Sequence, residues 1–140
     1  MSFIEVHSGG VIKKLLAANK KIVYVWHTPM INFDPKTCVA ARPFAKAQKA
    51  LCSSPRGIHD EYRQEYVKLI KSLLVEFPQI KSFDLSDLLC DKESCWASKD
   101  GEMMYRDASP HLSEDGSSYI ARSLYPFLKE SHSQNHIIRP

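Results

Sequence analysis

No apolar run in this chain approaches the roughly 20 residues that a helix needs to cross a bilayer; the longest are short stretches such as Ile22–Trp26. Residues 1–10 hold neither a basic cluster nor a long apolar segment, so no secretory signal is encoded there. No charge of one sign dominates: 19 Lys and Arg are interleaved with 16 Asp and Glu, for a net charge of +3. A nucleic-acid partner is not expected, because its electrostatic footprint is a continuous basic stripe. Internal repeats and low-complexity tracts are absent, and the spacing of the cysteines does not match the tight knuckles that structural zinc sites use. No cofactor is implied.

What is present suits a soluble globular chain. Of the 140 residues, 44% are hydrophobic and 25% charged, ordinary for one folded domain or a large piece of one. The four cysteines fall in two local pairs, Cys38 with Cys52 and Cys90 with Cys95. Three readings stand at this point: two loop-closing disulfides if the compartment is oxidising, four free thiols, or a metal site.

Local patterning predicts an alternation of helices and strands. Val11, Ile12, Leu15 and Leu16 recur at helical spacing before the strong helix formers Ala17 and Ala18, and Asn19 offers a stop. Phe3–Val6 reads as a short strand or an irregular lead-in. Ile22–Trp26 is β-branched and aromatic without polar alternation, as in a parallel strand covered on both faces. Pro29 then forces His27 and Thr28 into a loop. Residues 30–57 read as a long loop stapled by Cys38 and Cys52, with a short helix within residues 40–51. Residues 59–77 form the clearest helix, with Tyr62, Tyr66, Leu69, Ile70, Leu73 and Leu74 as its core face. Residues 79–85 read as a second strand and 86–105 as irregular. Ser113 caps a last helix whose buried face is Ile120, Leu124, Phe127 and Leu128, with Pro126 distorting its end. The expected division is one domain over residues 1–130 and a frayed tail over 131–140. Such alternation implies a parallel sheet with helices on both faces. Two strands are few for that sheet, so upstream sequence or a partner is expected to complete it, and the edge at Ile22–Trp26 is a candidate for self-association.

One segment carries candidate chemistry. Asp107 and His111 lie four residues apart on a loop containing Pro110, directly before the capped helix. Folded back, the carboxylate accepts the Nδ1–H of the imidazole and leaves Nε2 as a general base. Other positions have plainer readings. His27 reads as a hydrogen-bonded structural histidine, Arg42 and Arg56 as solvated loop arginines, and Trp96 either as a cover for the cysteine pair or as a sugar-stacking ring. Ser8, in His7-Ser8-Gly9-Gly10, reads as a helix cap, with a nucleophile as the second reading.

The runs Asp87-Leu88-Leu89-Cys90-x4-Cys95, Gly101-x3-Tyr105-Arg106-Asp107 and His111-Leu112-Ser113-x2-Gly116-Ser117 resemble the end of the SGNH domain of bacterial membrane acyltransferases. Phe33-Asp34-Pro35-x2-Cys38 and Cys52-x2-Pro55-Arg56, followed by a helix with Tyr66, are similar too. The resemblance covers roughly residues 11–130. It implies a partial three-layer α/β/α (flavodoxin-like) fold that lacks its N-terminal strands. It also implies a place at the periplasmic face of the inner membrane within a longer protein, where an acyltransferase-three membrane domain supplies the acyl donor and a cell-surface polysaccharide accepts an acetyl group. A serine of a Gly-Asp-Ser block takes the acyl group in this family, so His111 would be its base and Asp107 the partner of that base. The chain departs from the pattern twice. The family's D-x-x-H is here D-x-x-x-H, and none of the 140 residues forms a Gly-Asp-Ser block. Alone, the chain is expected to be inactive; the alternatives are a non-catalytic binding or oligomerisation module, or a small esterase using Ser8.

Overall fold

In the computed structural model, residues 3–38 and 52–133 are described, without the side chains of residues 3–8. Helix α1 spans Phe3–Ala17. It begins earlier than the apolar spacing predicts, so Phe3–Val6 is helical and not a strand. Its end follows local chemistry: Asn19 turns left-handed at φ 56°, while the amides of Asn19 and Lys20 reach back to Leu16 and Leu15 at 2.9 Å each. This double bond pattern around a left-handed residue satisfies the last helical carbonyls.

Strand β1 (Val23–Val25) pairs in parallel with β3 (Lys81–Phe83), Val23 opposite Lys81 and Val25 opposite Phe83. The crossover between them carries a 3-10 turn (Pro35–Cys38), strand β2 (Ser53–Pro55) and helix α2 (Arg56–Glu76). Residues 40–51, where a short helix is expected, lie outside the described residues. The alternation of side chains across β1 puts Ile22, Tyr24 and Trp26 on one face, toward α1 and α2. There Leu73, Phe77 and Ile80 form a core with Ile12, Leu16 and Tyr24. Phe83 faces the other way and meets Phe127 of helix α4 (Glu114–Ser133) with ring centroids 5.1 Å apart. Helices therefore cover both faces of a parallel sheet, the partial α/β arrangement expected from the sequence.

Coverage of β1 is incomplete, contrary to the expectation from its apolar run: Val25 is 40% exposed. Among the described residues β1 pairs only with β3, so no further strand carries a helix over that side. Tyr62 is a second correction. At 63% exposed it stands outside the core, because α2 turns its Trp26-facing side through Arg63 and Tyr66.

Residues 86–105 are more ordered than their irregular pattern predicts. They form α3 (Ser86–Leu89), β4 (Ser94–Trp96), β5 (Ser98–Lys99) and β6 (Glu102–Met103). β4 runs antiparallel to β2, and β5 to β6. Asp100 and Gly101, both at positive φ (53° and 86°), close the β5–β6 hairpin as a two-residue turn of the kind whose twist matches its strands. Disulfide Cys38–Cys52 ends just before β2 and Cys90–Cys95 is anchored within β4, deciding the cysteine question for oxidised pairs. Leu89, Ala97, Met104 and Tyr105, all essentially inaccessible, form the second core with Ile31, Leu85 and Ile120. Pro126 lies inside α4 and does not end it; the helix runs on to Ser133, past the expected domain limit at residue 130, and residues 134–140 lie outside the described residues. At that end Lys21 donates to the carbonyls of Ser131 (3.3 Å) and His132, a cation where a helix terminus favours one.

Candidate active site: the Asp107–His111 loop

Backbone pairing shapes this loop before any side chain acts. The amide of Met104 donates to Ala97 (2.8 Å) and that of Ser113 to Met104 (3.0 Å). Tyr105 bridges Leu112, and the amide of Arg106 donates to His111 at 2.8 Å. The chain thus doubles back on itself, and Asp107–Pro110 form the tip. The extra residue of D-x-x-x-H is absorbed in this tip, where the His111 amide donates to the Ser109 carbonyl.

Asp107 and His111 consequently meet. His111 Nδ1 lies 3.0 Å from Oδ1 and 3.1 Å from Oδ2 of Asp107. An ionised carboxylate only accepts, so Nδ1 carries the proton, and in the neutral imidazole Nε2 keeps its lone pair. The hydrogen bond from His111 holds the Asp107 carboxyl below its usual range, with Arg106 assisting at 3.4 Å. The His111 side chain is 62% exposed and can be approached by a reacting group.

The end of the loop is fastened to α4. Ser113 Oγ accepts the Gly116 amide at 2.9 Å, as the expected N-cap, and donates to the Met103 carbonyl. Gly116 allows α4 to touch the backbone just after β6: a Cβ there would run into the Met104 carbonyl oxygen and stand 2.8 Å from its carbon. The other side of the loop is fastened through Tyr105, whose buried hydroxyl donates to the Pro29 carbonyl at 3.1 Å. Burial pushes the Tyr105 phenol well above its usual range, so it stays a donor. Pro29 lies in the loop leaving β1. The Asp–His pair therefore belongs to the carboxyl end of the strands, where open α/β sheets place their sites.

A buried polar cluster that the sequence reading missed supports the same loop. His59, on α2 and fully buried, accepts the Met30 amide on Nδ1 (3.2 Å) and donates from Nε2 to Ser86 Oγ (3.0 Å). Arg63 donates to Ser86 Oγ at 3.0 Å and to the Asp84 carboxylate at 2.9 and 3.2 Å, with its guanidinium 5.6 Å from the Trp26 ring. Burial, then the Arg63 charge, lowers the His59 pKa to about 4, so the imidazole is neutral. Burial raises the Asp84 carboxyl, but hydrogen bonds from Ser86 and Arg63 outweigh it and hold the group below its usual range. His59 and Arg63, four apart on one helix face, were the available signal; their acceptors come from beyond the next strand.

The remaining candidates are dispersed. Ser8 lies within α1, neither capping it nor standing at a strand end. His27 is exposed, with Nδ1 3.0 Å from the Thr28 carbonyl and its ring 5.1 Å from that of Tyr66. Arg56 is not simply solvated: it donates to the Asp91 carbonyl at 2.7 Å and pairs with Asp60 at 3.5 Å. Arg42 lies outside the described residues. Among the described residues no three His, Cys, Asp or Glu side chains gather as a metal site. Two cavities, of about 340 and 280 Å³, lie elsewhere: one at the amino end of the sheet around Lys21 and Gln79, the other beside Trp96.

Comparison with known proteins identifies the family. The family described as SGNH domain (fused to AT3 domains) matches residues 9–126, most of the chain. No curated protein and no solved structure matches at a significant level. With a parallel sheet between helices and a family match of this extent, the chain belongs to the SGNH domains that are fused to AT3 domains.

Proposed function

We propose that this domain serves acyl transfer: it moves an acetyl group to a cell-surface polysaccharide through a serine ester, with His111 as the base and Asp107 orienting it. The contact that carries the reading is the Asp107 carboxylate on His111 Nδ1, which leaves an accessible Nε2. A serine hydroxyl is almost wholly protonated at neutral pH and needs such a base. Nε2 takes the hydroxyl proton as the serine oxygen attacks the acyl carbonyl, then returns it to the departing group of the donor. In the second half Nε2 deprotonates a sugar hydroxyl, which attacks the ester and displaces the serine oxygen, reprotonated by the imidazolium. Asp107 stays ionised throughout and stabilises that imidazolium. Since no Gly-Asp-Ser block occurs in these residues, the serine comes from sequence outside them. The domain then works within a longer protein at the periplasmic face of the inner membrane, its acyl donor delivered by the AT3 partner. Residues 1–130 are its carboxyl-terminal part on this reading.

In that longer protein, His111→Ala should abolish transfer to the polysaccharide while leaving the thermal melting of the domain intact; wild-type transfer by the variant would refute the assignment. The 140-residue chain by itself should hydrolyse a nitrophenyl acetate ester no faster than background. Enzymatic hydrolysis abolished by Ser8→Ala would instead establish a self-contained esterase.

A second reading, a non-catalytic binding or oligomerisation module, is favoured by the edge of β1 beside the exposed Val25, unpaired among the described residues. An unpaired edge invites strand addition. On this reading the isolated chain sediments as a dimer or larger species, and a strictly monomeric profile counts against it. A Gly-Asp-Ser block encoded within about one hundred residues upstream, a span set by ordinary domain size, decides for the enzyme.

A further inference from the structure

The β4–β6 region holds the cavity of about 280 Å³, lined by Cys90, Asp91, Trp96, Ser98, Lys99 and Asp100. Its aromatic wall is Trp96, 36% exposed, in a protein whose other tryptophan, Trp26, is buried. An exposed indole that merely lay on the surface would be free to turn. Trp96 is held: Nε1 donates to Asp91 Oδ2 at 3.0 Å, its backbone pairs with Ser53, and Cys95 beside it is tied to Cys90. Asp91 is itself fixed, since Oδ1 accepts the amides of Glu93 (2.8 Å) and Ser94 (2.7 Å), and its carbonyl accepts Arg56. Across the cavity Asp100 sits on the two-residue hairpin turn at φ 53°, exposed and with no side-chain partner among the described residues. Lys99 is turned away from free duty: its Nζ donates to the Leu88 carbonyl at 2.7 Å and lies 5.4 Å from the Tyr119 ring.

We infer that this cavity is a saccharide subsite, in which one sugar ring stacks on Trp96 and its hydroxyls donate to Asp100 and meet Ser98. The lining selects that ligand class. Two carboxylates against one occupied lysine disfavour phosphates and other anions, while no aliphatic side chain lines the cavity to take a lipid or acyl chain. The volume lies just below the 300–1,000 Å³ of drug-sized sites, which suits a single ring. A C–H-rich ring face on an aromatic, with a carboxylate acceptor at its edge, uses both halves of the lining, and the clamped indole lowers the ordering cost of binding.

The subsite is also tied through the backbone to the Asp107–His111 loop. Ala97, next to Trp96, accepts the Met104 amide, and Asp107 is three residues beyond Met104, at most about 10 Å of chain. An oligosaccharide of a few rings spans that separation. The naming of the ligand as the acceptor of the reaction rests on the acyl-transfer reading; the site itself does not.

The test uses maltotriose, cellotriose and mannotriose as probes, titrated into the protein while the two indole N–H resonances are followed, with affinities from calorimetry. The Trp96 resonance should shift saturably with at least one probe and that of Trp26 should stay still. Trp96→Ala should weaken binding about tenfold, near the most a single aromatic contact supplies. Trp96→Phe, which keeps a ring, should retain most of it, and Asp100→Asn should weaken it severalfold. If Trp96→Ala unfolds, the other two variants carry the comparison. Silence of the Trp96 resonance with all three probes overturns the subsite, as does undiminished binding in a folded Trp96→Ala protein. A silent indole beside intact transfer by the longer protein overturns this inference alone, whereas an indole that responds in a protein inactive with His111 present overturns only the reaction.

Discussion

Between Asp107 and His111 stand three residues where the family pattern has two, and the tip of the loop takes up the difference without separating the carboxylate from Nδ1. What matters at this scale is an angle and a proton, not charge alone. Asp107→Asn keeps the shape but can offer its amide N–H to Nδ1, which stabilises the wrong tautomer. It should lower transfer by the longer protein roughly 10³–10⁴-fold, as the same change does in other serine-dependent sites, with little change in melting temperature. Gly116 acts through space rather than bonds. Gly116→Ala pushes a methyl into the Met104 backbone, which is held by hydrogen bonds to Ala97 and Ser113 and cannot swing aside. Overpacking of this kind costs about 1–3 kcal/mol, so chemical denaturation should show a loss of at least that size despite the better helix propensity of alanine.

Three elements converge on His59: α2 carries it, the loop after β1 donates Met30 N–H to it, and α3 begins at its acceptor Ser86. Its titration therefore reports on their docking. In the unfolded chain the imidazole titrates near 6.5, in the folded protein at about 4. Between those values the unfolded state takes up a proton that the folded state refuses, so stability falls as the pH drops through that window and is fully present above it. The loss is about 3 kcal/mol by pH 4. Urea denaturation of the wild type and His59→Gln at pH 7 and pH 4.5 checks this: the variant should be weaker at pH 7 and lack most of the difference between the two conditions. An equal pH dependence in both proteins would remove His59 as its source.

For the molecule as a whole, the disulfides replace what a two-stranded sheet cannot supply. Cys38–Cys52 encloses a loop of 14 residues' separation, a crosslink worth about 3 kcal/mol through the unfolded chain. Unreduced protein should titrate with no free thiol, and reductant should lower its melting temperature; a stability unchanged by reduction would mean that the β2–β4 region contributes nothing to the global unfolding unit. The same scale holds the open edge of β1, whose consequence is read by sedimentation.

Much of this was legible in the residues because it depends on near neighbours. Asn19 stops α1, Ser113 caps α4 and Pro29 starts a loop through contacts within a turn, and the periodicity of α2 is a property of one helix. Asp107 and His111, four residues apart, could be paired on paper for the same reason. The small β4–β6 ladders were hidden because strands of two or three residues carry too few side chains to show alternation. Tertiary structure alone decided the rest. His59 meets partners 27 and 29 residues away, and Tyr105 meets Pro29 across 76. Burial turns His59 from one more polar residue of a helix into a neutral imidazole with both ring nitrogens bonded. Sequence determined which groups could do chemistry; only folding determined that the strand-end loop holding them would be tied down from both sides.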